Sequence, residues 1–136
     1  MLVFSMEGNG IMDMYEILEH LQIAYEEVDH SAIFSVSEAQ IVKEKISGVG
    51  CKSLFLTDCK GTYIIYLLKD SKRANISLLK DIFKVSHLSF ASEEELFEIL
   101  HLKRGSVSPL GIIFDKENKV IIAIDSNLKM ERLLVH

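Results

Sequence analysis

The segment of residues 104–111, RGSVSPLG, contains the residue types of a binding loop. It includes the only proline of the chain, Pro109, and two of its seven glycines, with two serines between them. Glycine permits backbone angles that a side chain forbids, and proline fixes its own φ and favours extended geometry in the residue before it. These residues predict a rigid loop, with exposed N–H groups and small hydroxyls, that enters a buried strand at residues 111–114. A plain turn is the more ordinary use of the same residue types.

Lys52 is the single residue whose position is most informative. Alternation along a predicted strand at residues 51–58 places it on the same face as Leu54 and Leu56. Lysine is normally avoided on such an aliphatic face. Either its ammonium extends to solvent from the strand end, or it is held at the mouth of a pocket, where it binds a carbonyl, carboxylate or phosphate oxygen.

Other chemical groups give weaker signals. Ser106 and Ser108 lie in GSVSP, which is not the GxSxG nucleophile elbow, so a hydrogen-bonding role is favoured over covalent catalysis. Cys51, Cys59 and the five histidines match no zinc or CxxC spacing. We therefore expect no metal, no cofactor and reduced thiols in a cytoplasmic protein. His30 is most simply a polar loop residue.

Length and composition indicate one domain with one core. The chain has 136 residues, of which 49% are hydrophobic and 26% charged. Its apolar runs are far shorter than the roughly 20 residues that span a bilayer, so we expect no membrane partner. Residues 1–12 resemble no signal peptide and are expected to form a flexible lead-in to a single domain at 13–136.

The net charge of −5 argues against DNA or other nonspecific nucleic-acid binding, which depends on phosphate neutralisation. It does not exclude recognition of one end of an RNA by a local basic patch. Lys69, Lys72 and Arg73 form one such cluster, and residues 103–104 form another. A solvated face is the ordinary explanation of either cluster.

Periodicity and capping signals predict alternating helices and hairpins. Helices are expected at residues 13–22, from Ser35 or Ser37 to about 46, after Asn75, and after Ser92. Strands are expected at 51–58, 62–68, 87–90, 111–114 and 120–124, with an extended piece at 24–28, hairpin turns at 58–61 and 115–118, and one more strand beginning at 133. Without a repeated βαβ unit, this order predicts an α+β fold with a mixed, mostly antiparallel central sheet flanked by helices. Residues 63–68 are bulky on both faces and should lie centrally.

Five segments stand out when the chain is taken in order, namely MYEILEHLQIAYEEVDHSAIFSVSEA, CKSLFLTDCKGTYIIYLL, DSKRANISLLKDIF, LSFASEEEL and GSVSPLGIIFD. In this order they resemble the YbaK/EbsC family, the prolyl-tRNA synthetase-associated or ProX/PrdX-type editing domains. The resemblance extends from about Met14 to His136. GSVSP matches the GxxxP loop of the family, with Gly105 and Pro109 at its ends.

The resemblance implies a YbaK-type fold and a hydrolase of carboxylic esters, a deacylase that acts in trans on mischarged tRNA(Pro), with Ala-tRNA(Pro) ahead of Cys-tRNA(Pro). Its partners would be the acceptor end of that tRNA and prolyl-tRNA synthetase, and it would be a monomer or homodimer. Lys52 would be the functional lysine, and His136 would begin the HPN motif as a second catalytic residue. The implied contacts with substrate are His30, Gly105, Ser106, Val107, Ser108 and Pro109. With such a substrate, we expect the basic cluster Lys69, Lys72 and Arg73 to contact the backbone of the acceptor stem.

Two positions depart from the family pattern. His30 is followed by Ser31 where the family has His-Pro, and the sequence given ends at His136. The strand-and-helix segment that normally follows completes the sheet and one wall of the pocket, so we expect a sheet without it, and activity has to be measured on this chain. The alternative is a noncatalytic module that binds a synthetase, tRNA or itself through an exposed sheet edge. A small-molecule ester hydrolase ranks last, since no nucleophile or metal set is recognisable.

Overall fold

The computed structural model describes residues 14–27, 29, 31, 35–45, 48–128 and 133–134. The expected lead-in at residues 1–12, and also His30 and His136, lie outside the described residues. The chain divides into two compact units, Met1–Ser47 and Gly48–His136. Each is described by itself, and the expectation of one domain over residues 13–136 stays a prediction.

The first unit contains helices α1, Met14–His20, and α2, Val36–Glu44. Ser35 is the N-cap of α2, because its Oγ accepts from the Glu38 amide at 3.2 Å while its own amide donates to Glu38 Oε2 at 3.1 Å. This reciprocal pair is a capping box, and it decides between the two serines that the sequence offered as caps. The extended piece expected at residues 24–28 forms no strand over 24–27, and residue 28 is outside the described part.

The second unit contains a mixed sheet of five described strands, in the order β3-β1-β2-β4 with β5 beside β1. The strands are β1 Val49–Thr57, β2 Tyr63–Lys69, β3 Ser89–Phe90, β4 Val120–Ile124 and β5 Leu133–Leu134. β1 pairs antiparallel with β2 and β3, whereas β4 and β5 run parallel to their partners β2 and β1. The α+β prediction and the central position of β2 are both confirmed.

Helices α3, Ile76–Phe83, and α4, Glu93–Leu100, begin at the residues that the sequence indicates. Asn75 caps α3, and Ser92 forms a capping box with Glu95 at the start of α4. No helix of the described residues is long and apolar enough to cross a membrane.

The two helices cover opposite faces of the sheet. Alternate residues of β1 and β2 join Leu79 of α3 in the core, which contains Leu56, Ile64, Tyr66, Leu68, Leu79 and Leu88. On the other face, the Tyr63 ring stacks on Phe55 at 5.6 Å, and its hydroxyl donates to Glu95 of α4 at 3.0 Å. The β1–β2 hairpin is therefore held by packing from both sides, which fixes where its ends lie.

The predicted strand at residues 111–114 is wrong, because the structure has a 3₁₀ helix at Pro109–Phe114. Ser108 caps this helix, with its Oγ accepting from the Leu110 amide at 3.3 Å, and Pro109 occupies the first turn, where an N–H is not needed. A short apolar run cannot by itself distinguish a buried strand from a buried helical turn. Ser108 and Pro109 favour the start of a helix, and they therefore determine the local structure in spite of the β-branched residues that follow.

The predicted hairpin at residues 115–118 is consequently also wrong. A turn is present, and the Asp115 carboxylate accepts from the amides of Lys119 at 2.9 Å and Val120 at 2.7 Å. It leads from the 3₁₀ helix into β4, whose partner is β2 and whose direction is parallel to it. The apolar alternation of β4 indicates a strand but contains no information about its partner.

Candidate functional site

Lys52 lies on β1, opposite Leu68 of β2 and near the open end of the hairpin. Its side chain is half-buried, and its Nζ donates to the backbone carbonyl of Asp70 at 3.3 Å. An ammonium has three donors, so two remain for a ligand beyond this bond. The ammonium is thus held at the strand end by a neutral carbonyl, and its positive charge is not compensated by that partner.

The carbonyl that holds Lys52 belongs to a tight turn after β2. Within this turn the Lys72 amide donates to the Lys69 carbonyl at 2.9 Å, and the Asp70 amide donates to the Gly50 carbonyl at 3.0 Å. The turn is therefore tied to β1 as well as to β2, which places it beside Lys52.

Asp125, directly after β4, is a buried acceptor for groups of this turn and of β2. Its Oδ2 accepts from Lys72 Nζ at 2.6 Å and from the Tyr66 hydroxyl at 2.7 Å, and its Oδ1 accepts from the Asn127 amide at 3.0 Å. The pKa of Asp125 is lowered to about 2, mainly by the hydrogen bond from the Lys72 ammonium and next by the bond from the Tyr66 hydroxyl. Burial and the same carboxylate raise the pKa of Tyr66 to about 12.

This network was missed by the sequence reasoning, which grouped Lys72 with Lys69 and Arg73 as contacts for a nucleic-acid backbone. The structure places the three residues together at the end of β2, but the charge of Lys72 is paired with Asp125. A signal was present, because a tyrosine inside a buried strand requires a partner for its hydroxyl. The sequence did not indicate which of the distant carboxylates that partner would be.

In the loop before the 3₁₀ helix, the backbone conformation at residue 105 favours glycine over any other residue. Gly105 has φ +85°, a conformation that costs L-residues energy, and a Cβ added there would have nothing within 4 Å. The Ser106 amide donates to the Lys103 carbonyl at 3.0 Å and closes the turn. Gly105 is exposed, so this turn projects from the surface without filling space in the core.

Ser108 is buried at 1% exposure and caps the 3₁₀ helix, which supports a hydrogen-bonding role rather than that of an exposed nucleophile. Ser106, Val107 and Pro109 are half-buried. The amides of Ser106, Leu110 and Gly111 already donate within the loop, and Pro109 has none. For the N–H groups of Gly105 and Val107, the described part of the chain supplies no acceptor.

Among the described residues, Lys52 and the loop at residues 105–109 each supply hydrogen-bond donors. Two surface depressions, of about 230 and 440 Å³, are lined by other residues, the first by Asp58, Lys60, Lys84, Val85 and Ser86 and the second by residues of the first unit. Over the same described ranges, no group of three His, Cys, Asp or Glu side chains is placed to hold a metal ion. The proposed roles of His30 and His136 stay predictions.

Comparison with known proteins identifies what kind of domain these elements form. Residues 30–136 match the family described as the aminoacyl-tRNA editing domain. The chain is similar to the prolyl-tRNA editing protein ProX of Acetoanaerobium sticklandii, with 34% identity over 113 residues, or 82% of this chain and 68% of that protein. It is also similar to prolyl-tRNA synthetase associated domain-containing protein 1 of Danio rerio, with 28% identity over 85% of this chain and 63% of that protein. The Bos taurus protein of the same name is 31% identical over 80% of this chain and 65% of its own length.

The matched region therefore spans about two thirds of the length of these relatives. The family match covers more than half of the chain. This chain belongs to the aminoacyl-tRNA editing domain family.

Proposed function

We propose that this chain is a trans-acting deacylase that hydrolyses the ester of mischarged tRNA(Pro), with Ala-tRNA(Pro) preferred to Cys-tRNA(Pro) as the substrate. Family membership and the name of the ProX relative support an editing role. The observation that carries the proposal is Lys52, an ammonium held at the strand end by one neutral carbonyl. We place the reaction in the cytoplasm, with prolyl-tRNA synthetase as a candidate partner.

In the proposed reaction, a water oxygen attacks the ester carbonyl carbon and forms a tetrahedral intermediate. The bond to the 3′ oxygen of the terminal adenosine then breaks, and the proton lost by the water ends on that oxygen. An aminoacyl ester is already activated, so the protein has mainly to position the water and stabilise the developing oxyanion. The adenosine 2′-OH would position the water, which accounts for a site without a recognised protein base.

The proposed oxyanion donors are Lys52 and the amides of Gly105 and Val107. Fixed donors that point at developing charge are commonly the largest single contribution to catalysis of acyl transfer. The amides of the loop that are already bonded are less available for this role. Lys52 would bind either the carbonyl oxygen or the terminal phosphate.

Contacts with the tRNA backbone are proposed for Lys69 and Arg73, which lie on either side of the turn that holds Lys52. Phosphate contacts set the position of the nucleic acid without reading its sequence. Lys72 takes part less directly, because its charge is paired with Asp125. In this assignment, Lys69 and Arg73 are the two residues of the basic cluster whose charges are available to bind phosphates.

Selection of the amino acid is proposed to depend on pocket size. One methylene in an apolar pocket changes binding by only about 1–3 kcal/mol, so exclusion of a larger cognate residue by steric clash is the better discriminator. We assign the substrate-facing surface to His30 and residues 105–109, by resemblance to the family.

The competing proposal is a noncatalytic binding module, and one observation favours it. β4 is at the end of the described strand order, and Ile121, Ile122 and Ile124 are 45%, 38% and 58% exposed. An edge strand with exposed isoleucines is a surface to which a second copy of the chain can add a strand. A stable dimer by light scattering, together with no deacylase activity, would support this alternative.

The direct experiment follows release of the amino acid from Ala-, Cys-, Ser- and Pro-tRNA(Pro) on incubation with the protein. We expect the mischarged species to be hydrolysed and Pro-tRNA(Pro) to be spared. Lys52→Ala should abolish most of the activity, while Lys60→Ala, an exposed lysine in the turn of the same hairpin, should retain it. Hydrolysis of no species above buffer, or full activity in Lys52→Ala, would refute the enzymatic proposal.

A further inference from the structure

We infer that Asp125 is a positioning residue for Lys52, and that it acts through Lys72 and the turn at residues 69–72. The inference rests on the proposed function, in which the ammonium of Lys52 contacts the substrate. Asp125 contacts neither Lys52 nor a substrate in this assignment. Its effect passes through two hydrogen bonds and one tight turn.

The first step is the fixation of Asp125 itself. Its amide donates to the Leu67 carbonyl at 2.9 Å, which ties the end of β4 to β2. Its side chain is 7% exposed and accepts from the Tyr66 hydroxyl, which comes from the core face of the same strand. The carboxylate is therefore attached to the most buried strand of the sheet by backbone and side chain together.

The second step is the connection from Asp125 to the turn. Lys72, whose side chain is 42% exposed, extends its ammonium to Asp125 Oδ2 at 2.6 Å. Charge-assisted hydrogen bonds of this length are about twice as strong as neutral ones. Because Lys72 is the last residue of the turn, this bond holds the outer end of the turn against the sheet.

The third step is the carbonyl of Asp70, which lies inside the turn. The Asp70 amide is bonded to Gly50 of β1, and the Lys72 amide closes the turn onto Lys69. With both ends held, the Asp70 carbonyl is presented to Lys52 Nζ at 3.3 Å. A turn released from Asp125 would retain its backbone bonds to Gly50 and within the turn, but it would no longer be held against the sheet in the orientation that aims this carbonyl at Lys52.

A different assignment of Lys72, as a contact for a tRNA phosphate, makes a different prediction. Loss of a phosphate contact weakens substrate binding and raises KM, with a reduced dependence on salt. Loss of a positioning contact leaves binding nearly intact and lowers kcat, because the reacting groups are no longer aligned. The two assignments are therefore separated by steady-state kinetics.

The experiment compares Lys72→Met with Lys72→Arg on the aminoacyl-tRNA that the wild-type chain hydrolyses. We expect Lys72→Met to lower kcat about 10- to 100-fold with little change in KM, and Lys72→Arg to restore most of kcat. Lys69→Met, which removes a neighbouring cation, should instead raise KM, and Lys60→Met should match the wild type. A folded Lys72→Met variant with wild-type kcat and raised KM would overturn the inference.

Lys72→Met leaves a buried carboxylate without its cation and could fail to fold for that reason. The double variant Lys72→Met/Asp125→Asn removes both charges, and we expect it to unfold at a denaturant concentration near that of the wild type. Its kcat should nevertheless stay low, because the turn is no longer held. Wild-type kcat in the folded double variant would also overturn the inference.

A readout without catalysis distinguishes failure of the inference from failure of the proposed function. Competitive acetylation, followed by mass spectrometry, measures the reactivity of Lys52 relative to Lys60 in the same sample. We expect Lys52 to react several-fold faster in Lys72→Met than in the wild type or in Lys72→Arg. Equal reactivity in all three proteins would overturn the inference even if the wild-type chain hydrolyses no tRNA.

Discussion

Two lysines at the same end of the β1–β2 hairpin differ in what holds them. Lys52 is half-buried and its ammonium is bonded to a neutral backbone carbonyl, whereas Lys72 is the more exposed residue and its ammonium is bonded to a buried carboxylate. The charge of Lys72 is thus paired with a carboxylate, whereas the bond that holds Lys52 brings no opposite charge. Exposure alone would single out Lys72 as the cation available to a ligand, whereas the bonding partners of the two lysines favour Lys52, as in the proposed function.

The largest expected effect is on the activity of Lys52→Ala. Removal of one donor to a developing oxyanion lowers kcat by about 100- to 1,000-fold in other acyl-transfer enzymes, and we expect a loss of that size. Stability to denaturant should change by less than about 0.5 kcal/mol, because the lost bond is long and near solvent. Deacylation kinetics and urea unfolding of the same preparation measure both quantities. If the loss of stability were large enough to explain the loss of activity, Lys52 would act as a structural residue, and the proposed difference between Lys52 and Lys72 would be wrong.

Asp125→Ala should show the opposite pattern, with a loss of stability of about 2–3 kcal/mol. The variant removes the ion pair with Lys72 and leaves the buried Tyr66 hydroxyl without its acceptor, and an unsatisfied buried group carries a desolvation cost of this order. Asp81→Ala, which removes an exposed carboxylate from α3, is the matched control and should be close to neutral. Urea unfolding measures the difference. Equal midpoints for the two variants would show that the Asp125 network contributes no stability.

Two glycines of the loop differ in a similar way, because packing excludes a side chain at Gly111 whereas only the backbone conformation disfavours one at Gly105. A Cβ at Gly111 would lie 2.7 Å from Leu102 Cδ1, and Leu102 is 1% exposed, so Gly111→Ala should cost about 1–3 kcal/mol by overpacking. At Gly105 only φ opposes a side chain, and Gly105→Ala should cost about 1 kcal/mol. Gly105→Asn should cost less than Gly105→Ala, since asparagine tolerates positive φ. Thermal unfolding ranks the three variants, and a greater loss for Gly105→Ala than for Gly111→Ala would contradict the steric account.

The smallest expected effect is a change in the dependence of stability on pH. The folded-state pKa of Asp125 is about 2, below the ordinary value of about 3.9 in an unfolded chain. Its contribution to stability is therefore fully present above about pH 4 and is lost as pH falls toward 2. Asp125→Asn should have a shallower loss of stability than the wild type between pH 4 and 2, measured by urea unfolding. Parallel curves would show that the carboxylate is not stabilised by Lys72 and Tyr66.

The sequence by itself determined the features that depend on residues a few positions apart. Asn75, and Ser92 with Glu95, place the beginnings of two helices, because a cap is satisfied by an amide within three residues. Ser35 with Glu38 was one of two caps that the sequence offered for a third helix, and the structure selects it. The β1–β2 hairpin is equally local, since Asp58 Oδ1 accepts from the amides of Lys60 and Thr62 in the turn. The five segments in order were also sufficient to indicate the family.

Only the tertiary structure decided which distant groups meet. Lys72 and Tyr66 are separated from their acceptor, Asp125, by 53 and 59 positions of sequence. Strand β4 pairs in parallel with β2, and no short turn between the two strands indicates this pairing in the sequence. The segment at 109–114 had an apolar pattern compatible with strand or helix, and packing of Gly111 against Leu102 accompanies the helical outcome. Hydrogen-bond partners separated by this much chain are selected by the packing of the whole sheet, and no local pattern specifies them. Lys52 could be singled out from its strand as a candidate, whereas the carbonyl that accepts from it and the buried carboxylate that binds Lys72 could not.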